Sequence, residues 1–256
     1  MGIRISSQLF DSKVAGILAH CLHTVTNRDD LLLGSNTIEG LFEEWEKVLK
    51  AFREAGLTLS RTKTIVGLKE IEWSGYLLTE NGACASRKKI SSLLAAPKPT
   101  TADAVVSFLC EVGFNAQFIL RFAEYSLPLR KLGLGKGEFI WTDECKESYK
   151  YLKDALCENT LNNTFKNGLK IGLFVDAGKK QDTVNTPWAL SGVFCQLDPE
   201  SGQWKPIQFI SCVLSDCETQ FLQTELESLS ILYSCRRLDF FLRGAVGIQI
   251  FTDHQP

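Results

Sequence analysis

The 256-residue sequence has no apolar run long enough to cross a bilayer, no signal-peptide pattern, no Cys-x-x-Cys pair, no internal repeat and no low-complexity tract. A membrane partner and a secreted, disulfide-stapled fold are therefore not expected. Its nine cysteines are an odd, scattered set. They read as reduced intracellular thiols, each behaving as a small buried hydrophobe. Charge of one sign is also scarce. A formal net charge of −2 and a pI near 6.0 exclude a protein that is basic all over, so any nucleic-acid contact has to come from a local patch.

What is present is a chain 45% hydrophobic, enough for a sizeable core divided among two or three small domains. Charge is uneven along it. From Ser86 to Lys136 eight Lys or Arg face three acids, a net +5, whereas from Lys170 onward seven basic residues face ten acids, a net −3.

Residues 10–19 are weakly amphipathic, and residues 21–33 read as two strands around a turn carrying Asp29 and Asp30. Asn36 with Glu39 suggests a capping box for a helix whose apolar residues, Ile38 to Phe52, recur at helical spacing until Gly56. Asn81-Gly82 marks a further hairpin. Ser86 opens a short basic helix that stops before Pro97, Thr101 opens another, and small helices continue to about Leu132, with Thr142 capping a later one. A polar linker at 159–167 precedes strands expected at 169–176, 188–197 and 204–211, a helix at 216–238 and a strand at 246–252.

Three acids stand out in this last region. Asp176 and Asp253 end apolar runs, and Glu227 lies in the helical pattern. Carboxylates brought together at strand ends repel one another unless a cation or hydrogen bonds compensate. An oxygen-only set without matching His or Cys favours Mg²⁺ or Mn²⁺ over zinc. With three strands, a helix and a fourth strand, the order fits a ribonuclease H fold.

The ordered motifs resemble the reverse transcriptase and ribonuclease H of gypsy-like LTR retrotransposon polyproteins over nearly the whole chain. Asp29-Asp30-Leu31-Leu32-Leu33-Gly34-Ser35 is similar to the polymerase Tyr-x-Asp-Asp hairpin, with Asn27 in place of the Tyr. Glu54-Ala55-Gly56-Leu57 followed by Lys63, and Trp73-Ser74-Gly75-Tyr76, resemble the palm and thumb-entry motifs. Asp176, Glu225-Leu226-Glu227 and Thr252-Asp253-His254 follow the ribonuclease H signature.

The resemblance implies a mixed α+β and α/β architecture with a partial palm at 1–85, thumb and connection helices at 86–165 and a ribonuclease H-like mixed sheet at 166–256. It implies Asp29 and Asp30 as polymerase metal ligands, Lys63 as a charge stabiliser or general acid near leaving phosphates, and Asp176, Glu227 and Asp253 as ribonuclease H ligands for Mg²⁺ or Mn²⁺. Arg87, Lys88 and Lys89 would lie against template phosphates. The implied partners are an RNA–DNA hybrid or template–primer and the rest of the polyprotein, in the cytoplasm or a virus-like particle. Both active sites are expected to be incomplete, since the polymerase's third Asp and a fourth ribonuclease H acid have no counterpart here. On residue pattern alone, Asp29-Asp30 reads first as a solvated turn, while Lys63 is equally a surface lysine and Arg87 to Lys89 equally a solvated helical turn. A non-catalytic remnant that binds nucleic acid or protein is the alternative.

Overall fold

The computed structural model describes residues 6–135, 137–157, 163–178 and 188–253. The expectations for Lys136, for residues 159–162 of the linker, for the loop after the first long strand and for His254 lie outside the described residues. The chain divides into two compact units, Met1–Ser74 and Gly75–Pro256.

In the first unit, α1 (Ser6–Ile17) leads into a hairpin of β1 (Thr24–Asn27) and β2 (Asp30–Leu33). Asn27 faces Asp30, which leaves Arg28 and Asp29 as the loop, with Arg28 in the left-handed region at φ 57°. Helix α2 (Ile38–Glu54) buries Val48, Ala51 and Phe52 against Val14, Leu18 and Cys21. Its cap differs from the expected Asn36 box. Thr37 has the extended backbone of an N-cap, and its Oγ1 accepts the Gly40 N–H at 3.1 Å. Asn36 is one position too early for that role. At the other end Gly56 takes φ 70°, its N–H bonds to the Arg53 carbonyl and that of Leu57 to the Phe52 carbonyl. This paired Schellman closure needs the left-handed residue that glycine supplies. Strand β3 (Ile71–Trp73) ends the unit.

The second unit opens with a hairpin of β4 (Tyr76–Thr79) and β5 (Gly82–Ala85). Thr79 faces Gly82, so the loop is Glu80-Asn81, one residue earlier than the Asn81-Gly82 signal suggested. A helical layer follows: α3 (Arg87–Ala95), α4 (Ala102–Gly113), α5 (Phe122–Gly133) and α6 (Asp143–Cys157). Thr101 Oγ1 accepts the Ala104 N–H at 3.2 Å, and Thr142 Oγ1 accepts that of Cys145 at 3.3 Å, so these two expected caps form, whereas Ser86, the cap expected for α3, makes no side-chain capping hydrogen bond. Val105, Phe108, Val112, Ile119, Leu129 and Leu152 fill the core between these helices.

Beyond them, β6 (Ile171–Gly178), β7 (Ala189–Leu197), β8 (Trp204–Val213) and β9 (Ile248–Phe251) form a four-stranded sheet in the order β8-β7-β6-β9. All neighbours are antiparallel except β6 and β9, which run parallel with Phe174 beside Phe251. The expected helix at 216–238 starts later, as α7 (Gln223–Arg237), followed by the short α8 (Asp239–Leu242). The delay has a local cause: Glu218 accepts both the Ser215 N–H (2.7 Å) and O–H (2.6 Å), stabilising a separate turn at 218–220. Alternation along β6 places Ile171, Leu173 and Val175 in a core shared with Phe194, Ile210 and Leu238. Away from that core, Phe174, Trp204 and Phe251 form a ring cluster, with Phe174 and Phe251 stacked at 4.4 Å between centroids. Helix α5 is tied to β8 where the Ala123 N–H donates to Ser211 Oγ at 2.8 Å.

Candidate metal centre

Strand β6 carries Asp176 one residue after buried Val175, and Asp253 follows β9 by two residues. Because β6 and β9 are parallel and Phe174 pairs with Phe251, each aspartate lies two residues beyond a matched phenylalanine. Helix α7 brings the third acid. Leu226 and Ser230, both fully buried, seat the helix on the sheet, with the Ser230 hydroxyl at 3.4 Å from the Ser191 carbonyl. Glu227, beside Leu226, is 4% exposed.

One oxygen from each of Asp176, Glu227 and Asp253 lies within 4.8 Å of the others. Asp176 and Asp253 are exposed, whereas Glu227 is held from both sides. Its Oε1 accepts from Gln223 Nε2 at 3.0 Å, and its Oε2 accepts from Thr252 Oγ1 at 2.9 Å. The same Gln223 nitrogen donates to the Ala177 carbonyl at 2.5 Å. Among the described residues Glu227 makes no ion pair, so its hydrogen bonds satisfy the oxygens without cancelling the charge. Two unit charges about 5 Å apart repel by about 1 kcal/mol in water and about 3 kcal/mol at the effective dielectric of a protein surface. A divalent cation relieves all three pairwise repulsions at once. The set fits such an ion, because its ligands are all carboxylate oxygens and their spread matches a coordination sphere about 4–5 Å across.

The other residues singled out in the sequence are placed differently. Asp29 lies in the hairpin loop and Asp30 at the first position of β2, both exposed. Among the described residues no third His, Cys, Asp or Glu joins them, the single group of three being the one on the sheet. Lys63 is exposed in a turn after α2, its N–H bonded to the Ser60 carbonyl. Arg87, Lys88 and Lys89 form the exposed first turn of α3. Lys89 Nζ lies 4.1 Å from the centroid of Phe114, which also stacks on Tyr76 at 4.8 Å. Lys98 and Arg130 likewise lie over Trp141 and Phe122, and Arg121 pairs with buried Glu124 at 2.7 Å. Three of the eight basic residues from Ser86 to Lys136 thus lie over the fold's own rings, which fixes their position and leaves their charge in place. Gln223 and Thr252 were not singled out as site residues. Gln223 precedes Glu227 by four positions, one helical turn, a spacing that could have marked it.

Comparison with known proteins bears directly on these motifs. Residues 141–250 match the family described as the RNase H-like domain found in reverse transcriptase. The whole chain aligns with the retrovirus-related Pol polyproteins of the Drosophila melanogaster transposons opus and gypsy, each at 26% identity. The chain is thus similar along its whole length to retrotransposon Pol polyproteins. It covers 26% of the opus polyprotein and 25% of the gypsy one, about a quarter of each. Half of it, 128 residues, is 32% identical to 8% of the Gag-Pol polyprotein of Woolly monkey sarcoma virus. Among solved structures, the foamy viral protease–reverse transcriptase in complex with dsDNA matches the whole of this chain at TM-score 0.84 and 20% identity, over 52% of its own chain. The same viral protein in complex with an RNA/DNA hybrid matches 98% of it at TM-score 0.82 and 21% identity, over 33% of that chain. The chain therefore has the mixed α+β fold expected for it. No helix among its described residues is long and apolar enough to cross a membrane.

Proposed function

We propose that Asp176, Glu227 and Asp253 form a divalent-metal site of ribonuclease H type, acting on the RNA strand of an RNA–DNA hybrid within a Pol polyprotein in the cell interior. The observation that carries this reading is the meeting of three carboxylates on β6, α7 and just past the end of β9, two of which, Asp176 and Glu227, lie within residues 141–250, the region matching the reverse-transcriptase ribonuclease H-like family. A relative of the same fold is recorded with an RNA/DNA hybrid, which supports the substrate class. Mg²⁺ or Mn²⁺ bound there supplies Lewis-acid activation of water and neutralises charge developing on a phosphodiester. The chain's own contribution is positional. Exposed Asp176 and Asp253 offer oxygens to an ion approached from solvent, while buried Glu227 is held in one orientation by Gln223 and Thr252. In this reading the chain comprises a palm-derived part (1–85), a helical part (86–165) and the ribonuclease H-like part (166–256). In this reading Asp29 and Asp30 would be polymerase metal ligands and Lys63 a charge stabiliser near leaving phosphates, with no further carboxylate beside the two aspartates among the described residues.

Paramagnetic broadening by Mn²⁺ is the test. Wild type and Asp29→Asn are expected to show the same broadening around residues 176, 227 and 253, and Asp176→Asn to lose it. Equal broadening in wild type and Asp176→Asn would remove the common site and the activity built on it. Primer extension with Mg²⁺ or Mn²⁺ is expected to give no nucleotide incorporation, and incorporation abolished by Asp29→Asn would restore the polymerase role of the β1–β2 hairpin.

A further inference from the structure

Gln223 bridges two of the elements that build the carboxylate cluster. Its side-chain nitrogen donates both to the backbone carbonyl of Ala177, the residue after Asp176, and to Oε1 of Glu227, one helical turn along α7. The other oxygen of Glu227 is occupied by Thr252, the residue before Asp253. Glu227 is therefore linked through Gln223 to the residue after Asp176, and directly to the residue before Asp253. Glu227 is 4% exposed, and its donors are an amide and a hydroxyl, both neutral. A cationic partner would neutralise the glutamate and compete with a metal, whereas a neutral amide fixes its orientation and leaves the negative charge available. Hydrogen bonds to the ionised form are strong, and one that also anchors to a strand carbonyl resists the swing that repulsion from Asp176 and Asp253 would drive.

We infer that Gln223 is a positioning residue for the metal site, a neutral clamp that locks Glu227 to β6 beside Asp176 and so presets the spacing of the three carboxylates for a divalent ion. The inference rests on the proposed metal-binding reading and deepens it. Partners behind a ligand typically change metal affinity by about 10–100-fold when removed. Gln223→Met keeps the side-chain length and deletes the donor.

The experiment uses the full chain and has two arms. Isothermal titration with Mn²⁺ compares wild type, Gln223→Met and Asp176→Asn at a temperature where all are folded. Urea unfolding without metal runs the double-mutant cycle of Gln223→Met with Glu227→Met. The expected results are a Kd for Mn²⁺ raised about 10-fold or more in Gln223→Met, no measurable binding in Asp176→Asn, and a coupling of about 10-fold in the unfolding equilibrium constant, as for a hydrogen bond to a charged group. A residue that only supports the fold would lower stability and leave the Kd unchanged, and that outcome overturns the inference while the metal site stands. Absence of coupling in the cycle overturns the clamp whether or not Mn²⁺ binds. A wild type that takes up no Mn²⁺ overturns the metal reading, and the positioning role falls with it.

Discussion

Replacing Gly172 by alanine tests how the aromatic face of the sheet supports the carboxylates. A Cβ at Gly172 would meet Trp204 Cε3 and Cζ3 at 2.7 Å and Cδ2 at 3.1 Å, closer than carbon atoms pack. The indole is not free to tilt away, because Phe251 and Phe174 flank it at centroid distances of 5.6 and 5.9 Å and stack on each other. Overpacking of this kind costs about 1–3 kcal/mol. Gly172 lies outside the left-handed region, so the alanine is spared backbone strain and gains about 0.4–1 kcal/mol through the unfolded chain. The clash wins, and the net loss should be about 1–2 kcal/mol. Urea unfolding monitored by far-UV circular dichroism gives the number, and Mn²⁺ titration should show weakened binding, since displaced Phe251 is two residues from Asp253. The double variant Gly172→Ala/Trp204→Leu should lose less than the two single changes added together. An unchanged or higher unfolding midpoint for Gly172→Ala would refute this account of the packing.

Truncation of Leu129, which has no exposed surface in the helical core, to alanine should cost about 2–5 kcal/mol by urea unfolding. Asp198 at the β7–β8 turn is held well below the usual carboxylate range, first by its hydrogen bond with Lys205 and then by that of Ser201. A depressed folded-state value means a contribution present above the unfolded pKa of about 3.9 and lost as pH falls further. Lys205→Met should therefore weaken the protein at neutral pH and flatten its acid unfolding limb below about pH 4, which thermal melts across pH would register. On α3, Lys88→Ala should reduce low-salt affinity for an RNA–DNA hybrid in fluorescence anisotropy without lowering stability. The log–log salt dependence should flatten by about 0.7–0.9 for each phosphate that is no longer neutralised. Lys89→Ala should also lower the unfolding midpoint, because its ammonium lies over Phe114.

Strong local patterns carried most of the fold. The spacing of Trp45, Val48 and Phe52 reports a single buried helix face, and the Thr101 and Thr142 caps report backbone amides that need an acceptor. Asp176, Glu227 and Asp253 were readable because two of them end apolar strands and the third sits within an ordered motif. What escaped depends on contacts distant in sequence or on competition between neighbours. Whether Asn36 or Thr37 caps α2 is decided by backbone angles that two adjacent polar residues do not reveal. The late start of α7 depends on Glu218 choosing Ser215 as its partner. A run of lysines and arginines looks the same in sequence whether it faces solvent or, as with Lys89, Lys98 and Arg130, covers an aromatic ring.

The parallel pairing of β6 with β9 makes chain length, more than side-chain identity, the quantity the three-carboxylate cluster is sensitive to. Phe174 and Phe251 act as matching marks on two rulers, and Asp176 and Asp253 are read off two divisions further along each. Because successive residues in a strand point to opposite sides, inserting or deleting one residue between 248 and 252 would reverse the face of everything beyond it. Conservative exchange of Ile248 or Ile250, both partly exposed, leaves the count intact. In a deep mutational library β9 should therefore tolerate many substitutions and almost no single-residue indels, and an insertion compensated by a nearby deletion should recover Mn²⁺ binding where neither change alone does.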